Sequence, residues 1–250
     1  TLDDEYKYPS SADPQTWDVL NTYLQADARP LVQLYDGLMM YDLKNTQQPA
    51  LAESYEANDD MTVFTFKIRQ GVKWVDSQGR EIGDVTADDF VAGMQHMLDC
   101  QAGLEWLVDG VIEGASEYIN GETTDFNDVG VKALDDYTLE YTLCDPTPYF
   151  LTMLSYSIFA PMNRSYFLSQ GGAFGIEEFA AAKDSSNYKY GTSPDNIAYN
   201  GPFVVKSYTE ANTIVFEANP SYYNPDILGV HTLTWKYDDG TDNTKTYKDM

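Results

Sequence analysis

The clearest alternation in the chain runs from Met61 to Arg69, where Phe64, Phe66 and Ile68 share one face and Thr65, Lys67 and Arg69 the other. Successive side chains of a strand point to opposite faces, so this segment predicts a half-buried strand. Asn58-Asp59-Asp60 before it and Gln70-Gly71 after it are turn material. Val131 to Leu143 predicts a hairpin with Asp135-Asp136 at its turn, because Leu139, Tyr141 and Leu143 alternate with Thr138, Glu140 and Thr142. Phe203 to Tyr208 and Thr213 to Ala218 predict two further strands joined through Glu210-Ala211-Asn212, the second broken by Asn219-Pro220. Val230 to Tyr237 predicts a last strand with Leu233, Trp235 and Tyr237 on one face.

Helical spacing appears in three places. Asp27 to Leu38 predicts a helix capped by Asp27, with Pro30 in its first turn and Leu31, Leu34, Tyr35 and Leu38 on one face. Thr86 is a good cap for a second helix, Asp88 and Asp89 suit its positive end, and Phe90, Val91, Met94, Met97 and Leu98 give it a buried stripe. His96 falls on the polar side of that helix. Thr147 and Pro148 open a third, short helix with Tyr149, Phe150, Met153 and Leu154 on its apolar side. Asp13 to Asp27 reads as loop, and residues 169–200, rich in Gly, Ser, Asn and Tyr, read as an irregular surface excursion. Hairpins mixed with isolated helices predict an α+β (mixed α/β) class without a regular parallel βαβ series.

Composition narrows the partners. The 250 residues are 43% hydrophobic, enough for a real core, yet 40 acidic residues against 15 basic ones leave a net charge of -25. Such a surface repels nucleic acid and anionic lipid and favours a soluble monomer. No apolar run approaches a transmembrane span, and Thr1-Leu2-Asp3-Asp4-Glu5 has no signal-peptide pattern. Cys100 and Cys144, the only two cysteines, are too few for a disulfide framework or a zinc site, and their pairing with each other stays open.

Catalytic chemistry is sparse. His96 and His231 read as structural, and the chain has no nucleophile elbow, phosphate-binding glycine loop or dinucleotide fingerprint. Asp238 to Asn243 lacks the alternating acids and closing Glu of a calcium loop. Asn163-Arg164-Ser165 matches a glycosylation sequon, a pattern common by chance. No cofactor and no metal is expected. A glycosidase-like acid pair is not excluded by counting carboxylates.

Four stretches, in order, resemble the extracellular solute-binding proteins of the oligopeptide and dipeptide ABC importers. They are Leu34-Tyr35-Asp36-Gly37-Leu38 with Pro49 to Tyr55; Phe64 to Arg69 through Gly71-Val72-Lys73-Trp74 to Val85-Thr86-Ala87-Asp88-Asp89-Phe90; Val131 to Glu140 leading into Pro148-Tyr149-Phe150; and Asn200-Gly201-Pro202-Phe203 with Asn219 to Tyr223. The chain departs from the family at Ser77-Gln78-Gly79, where a tight turn is expanded, and at the 169–200 excursion.

The resemblance implies a periplasmic-binding-protein-like type II lobe carrying an inserted smaller α+β subdomain, with the second lobe absent. Residues 1–38 and 160–250 would form the discontinuous ligand-facing lobe and residues 39–159 the insertion. The chain would be the first part of a longer extracytoplasmic protein that captures an oligopeptide and delivers it to an ABC permease, without enzymatic activity. By position, Tyr23, Leu24 and Gln25 would offer main-chain groups to the peptide, Trp106 an aromatic from the insertion, and Asn200 and Gly201 either a cleft lining or only a turn. Two other classes compete: a polymer-acting hydrolase such as a glycosidase, and a surface sensor or adhesin whose partner is another protein.

Overall fold

The computed structural model describes residues 3–241, 244 and 248. In chain order the strands are β1 (Asp3–Ser10), β2 (Met39–Tyr41), β3 (Gln47–Pro49), β4 (Ala52–Ala57), β5 (Val63–Ile68), β6 (Lys73–Val75), β7 (Glu81–Asp84), β8 (Val131–Asp135), β9 (Thr138–Thr142), β10 (Phe203–Thr209), β11 (Thr213–Ala218) and β12 (Val230–Tyr237). The α-helices are α1 (Gln25–Leu31), α2 (Ala87–Cys100), α3 (Ala115–Ile119), α4 (Phe150–Met153), α5 (Arg164–Ser169) and α6 (Ile176–Lys183).

Two four-stranded sheets organise the chain. One has the order β4-β5-β9-β8 and is wholly antiparallel. Phe64, Phe66 and Ile68 of β5 are buried, as their alternation requires, and Phe66 meets Tyr141 of β9 edge to face at 6.1 Å. The other has the order β1-β12-β11-β10, antiparallel except for the parallel β1–β12 pair. β1 is rich in charged and half-exposed residues, so nothing local marks it. Its register, from Asp3 opposite Val230 to Ser10 opposite Tyr237, comes from the far end of the chain.

Helix α2 lies at the centre and contacts β8 and β9 as well as α5 and α6. Its start follows the capping rule: the Asp89 carboxylate accepts the Thr86 N–H at 2.8 Å and also the Trp74 indole N–H at 2.9 Å. The chain at Ala160 to Met162 crosses it at Gly93, where an added Cβ would stand 2.3 Å from the Ala160 carbonyl oxygen. Near its end Asp99 accepts the Tyr118 hydroxyl at 2.6 Å and the Gly175 N–H at 2.7 Å, tying α2 to α3 and to the start of α6.

Several sequence expectations need correction. His96 is not on a solvent face; it is fully buried, because α2 is covered on more than one side. The first helix runs from Gln25 and stops at Leu31 rather than Leu38, because the Gln33 and Leu34 N–H groups bond three residues back, to Pro30 and Leu31, and tighten the chain out of the helix. Asp27 does not cap it but accepts from Gln15 N–H and the Thr22 hydroxyl, both at 2.6 Å. The third helix starts after Tyr149, not at Pro148, and the Thr147 hydroxyl instead donates to the Asp145 carbonyl. Residues 169–200 are not a surface excursion: they hold α6 and bury Phe179, Tyr190, Ile197, Ala198 and Tyr199. Cys100 and Cys144 are both free thiols. Among the described residues no helix is long and apolar enough to cross a membrane. Asp242 and Asn243 of the acidic segment lie outside the described residues.

Candidate ligand-binding concavity

Thr22 to Leu24 approach α1 as an extended turn and form one wall of a concavity of about 580 Å³. Thr22 is fixed from both sides: its hydroxyl donates to Asp27 and accepts the Leu24 N–H at 3.0 Å. The Leu24 carbonyl accepts from Asp27 and Ala28. Leu24 therefore has no free main-chain group, while the N–H and C=O of Tyr23 make no hydrogen bond among the described residues. The Tyr23 ring is 68% exposed. Gln25, the first residue of α1, is exposed beside this wall and does not line the concavity.

The opposite wall comes from the segment after α6, with Tyr188, Tyr190, Gly191 and Thr192, and from Lys183 at the end of that helix. Burial pushes the Tyr188 and Tyr190 hydroxyls far above the usual phenol range, so both are neutral donors at physiological pH. Sequence reading missed this wall. The only signal was the period-two pair Tyr188 and Tyr190 inside a stretch otherwise rich in turn formers.

Ala102 completes the rim. The loop after it approaches the first wall, for a Cβ on Gly103 would lie 3.9 Å from the Tyr23 ring. Trp106 sits just beyond, in the short 3-10 turn Glu105–Leu107, and is also 68% exposed. It does not line the concavity. Asn200 and Gly201 lie elsewhere. Asn200 is buried and its amide grips the backbone of Asp36, while the Gly201 N–H donates to the Leu34 carbonyl at 2.9 Å. They brace the turn after α1.

Asp27 is the only acid lining the concavity among the described residues, and both its oxygens are engaged. Acid-pair hydrolysis needs two free carboxyl groups facing the substrate. Beneath the tyrosine wall, His96 Nε2–H donates to Asp18 Oδ2 at 2.7 Å and the Cys100 Sγ lies 3.4 Å from the same nitrogen. A thiol relay places thiol and carboxylate on opposite ring nitrogens, whereas here the Cys100 Sγ is nearer to Nε2, which Asp18 holds, than to Nδ1, at 3.8 Å. Burial, aided by the Asp18 charge, also holds the Cys100 thiol well above its ordinary pKa.

An open, aromatic-walled concavity on a mixed α/β lobe is the kind of surface on which proteins hold small molecules. Comparison with known proteins agrees: residues 46–246 match the family model of bacterial extracellular solute-binding proteins, family 5. The chain belongs to that family, whose members are binding proteins. It is 38% identical over 237 residues to the oligopeptide-binding protein AmiA of Streptococcus pneumoniae, covering 95% of this chain and 34% of AmiA. It is 34% identical over 205 residues to the periplasmic oligopeptide-binding protein OppA of Escherichia coli, covering 81% of this chain and 33% of that protein. Among solved structures, Listeria monocytogenes OppA bound to peptide superposes with a TM-score of 0.83 at 25% identity, over 99% of this chain and 46% of that one. The chain thus spans about a third of the length of the curated relatives it matches.

Proposed function

We propose that this chain is part of the solute-binding component of a peptide ABC importer, working outside the cytoplasm and handing an oligopeptide to a membrane permease. The observation that carries the reading is the free main-chain pair of Tyr23 on the rim of an aromatic-walled concavity. An extended peptide is held without regard to its side chains when its own backbone pairs with an exposed strand-like segment. Tyr23 supplies that pairing edge, and the Gln25 N–H extends it. The Tyr23 ring and Trp106 are exposed amphipathic surfaces that cover the ligand once a second lobe closes. Asn200 and Gly201 serve as a turn that braces the chain after α1, not as a ligand lining.

The lobe division follows the same reading: residues 1–38 and 160–250 as the ligand-facing lobe, with residues 39–159 inserted. It is supported by the strand content of the two sheets, one drawn from residues 3–10 and 203–237 and the other from residues 52–142. Groups that hold the charged ends of the peptide belong to the remaining two thirds of a full-length relative. The test is a thermal-shift screen of the full-length protein against a peptide library, sugars and bile acids, the last because a 30% identical relative in Escherichia coli is described as a probable deoxycholate-binding protein. Stabilisation by peptides is expected. Stabilisation by sugars or deoxycholate with none by peptides overturns the substrate class.

A further inference from the structure

Behind the Tyr188–Tyr190 wall, three side chains of different chemistry converge. His96 and Cys100 stand four residues apart on α2, a spacing that stacks them on one face of a helix. Asp18 arrives from the N-terminal loop. One ligand atom from each, the His96 ring nitrogen, the Cys100 sulfur and an Asp18 carboxylate oxygen, lies within 4.8 Å of the others. His96 and Asp18 are buried, and Cys100 is partly exposed.

We propose that Asp18, His96 and Cys100 form a binding site for a thiophilic divalent cation of the zinc type, with a fourth position left for water. Tetrahedral zinc keeps sulfur, nitrogen and oxygen ligands at about 2.3, 2.0–2.1 and 2.0–2.2 Å, which sets them roughly 3.3–3.6 Å from one another. The Cys100 Sγ to His96 Nε2 distance of 3.4 Å already meets that spacing. For Nε2 to bind metal its proton shifts to Nδ1, and the Asp18 oxygen, at 2.7 Å from Nε2, withdraws by roughly 0.6–0.9 Å as that hydrogen bond is exchanged for a metal bond. A thiolate and a carboxylate together cancel the charge of a dication, so the loaded site is neutral in a buried setting. Thiolate and imidazole select zinc over calcium or magnesium.

One neighbour adds to the case: the Tyr188 hydroxyl, on the same wall, is shielded from solvent and has no hydrogen-bond partner among the described residues. A metal-bound water gives it one. Ligation costs Cys100 its thiol proton, which passes to solvent on binding. The sequence expectation of no metal weighed histidine pairs and cysteine pairs separately, and the mixed His96/Cys100 pair at helical spacing escaped it.

The test adds cobalt(II) chloride to the reduced, metal-free protein and reads its absorption. A near-ultraviolet thiolate-to-cobalt charge-transfer band and intense visible bands of four-coordinate cobalt are expected, both bleached by zinc chloride. Cys100→Ser, a near-isosteric change at a partly exposed position, should remove the charge-transfer band and weaken zinc binding by more than the roughly 10–100-fold that loss of an outer partner costs. Cys144→Ser should change neither. Absence of the band in the unaltered protein, or its survival in Cys100→Ser, or its loss in Cys144→Ser, overturns the proposal. Circular dichroism of Cys100→Ser separates loss of the site from loss of the fold.

Discussion

The side-chain amide of Asn200 binds both backbone groups of Asp36, accepting its N–H at 3.0 Å and donating to its carbonyl at 3.3 Å. The pair fixes the turn after α1 to the segment that leads into β10, and Tyr222 adds a hydroxyl bond to the Asp36 carboxylate at 2.7 Å. Asn200→Ala leaves two part-buried backbone groups of Asp36 without their partner. A loss of about 2–4 kcal/mol is expected in urea unfolding. A loss below about 0.5 kcal/mol would show that water replaces the amide.

Gly93 is where the chain at Ala160 rests directly on α2. Gly→Ala in a helix interior ordinarily stabilises by about 0.5–1 kcal/mol. Here the added methyl group meets backbone, which cannot rotate away, so the sign reverses. Gly93→Ala should destabilise by about 1–3 kcal/mol, measured as a fall in the urea midpoint at unchanged slope.

Asp89 gives a pH dependence of defined sign. Burial pushes its carboxyl up to about 6, although Trp74 and Thr86 donate to it. The native state therefore holds this proton more tightly than the unfolded chain. Its contribution to stability is full below the unfolded value near 4 and is lost as pH rises through about 6. Asp89→Asn keeps an acceptor for both donors and removes the titration. Between about pH 7.5 and about pH 4.5 the stability of the wild type relative to Asp89→Asn should rise by about 2 kcal/mol. A constant difference across that range contradicts the assignment.

Tyr23 and Trp106 contribute little to the core, so Tyr23→Ala and Trp106→Ala should each change stability by no more than about 0.5 kcal/mol. In the full-length protein each should weaken peptide binding by about tenfold or more, read by calorimetry. Unchanged affinity in both variants would place the peptide elsewhere.

How much of this was legible in the sequence depends on where the partners lie. β5, β9 and β12 were readable because their alternation is local, and the start of α2 because Thr86 and Asp89 stand three residues apart. His96 was misplaced because polarity reports a preference for water and not the presence of a distant acceptor such as Asp18. The second wall of the concavity was hidden for a related reason. Tyr188 and Tyr190 lie among Ser, Asn and Gly, and only packing against Phe167 and Phe179 turns that stretch inward. Tyr23 was found through family position, while its free main-chain pair required the hydrogen bonds of Thr22 and Leu24 to be known.

The parallel pairing of β1 with β12 governs how the molecule is made. During synthesis the first strand emerges more than 200 residues before its partner, so Tyr6 and Tyr8 wait on an unpaired edge until β12 leaves the ribosome. Closing that long loop comes late and slowly. Through that interval β1 has no partner to hide its backbone groups, which makes the unfinished chain, not the finished sheet, the form most exposed to wrong pairing.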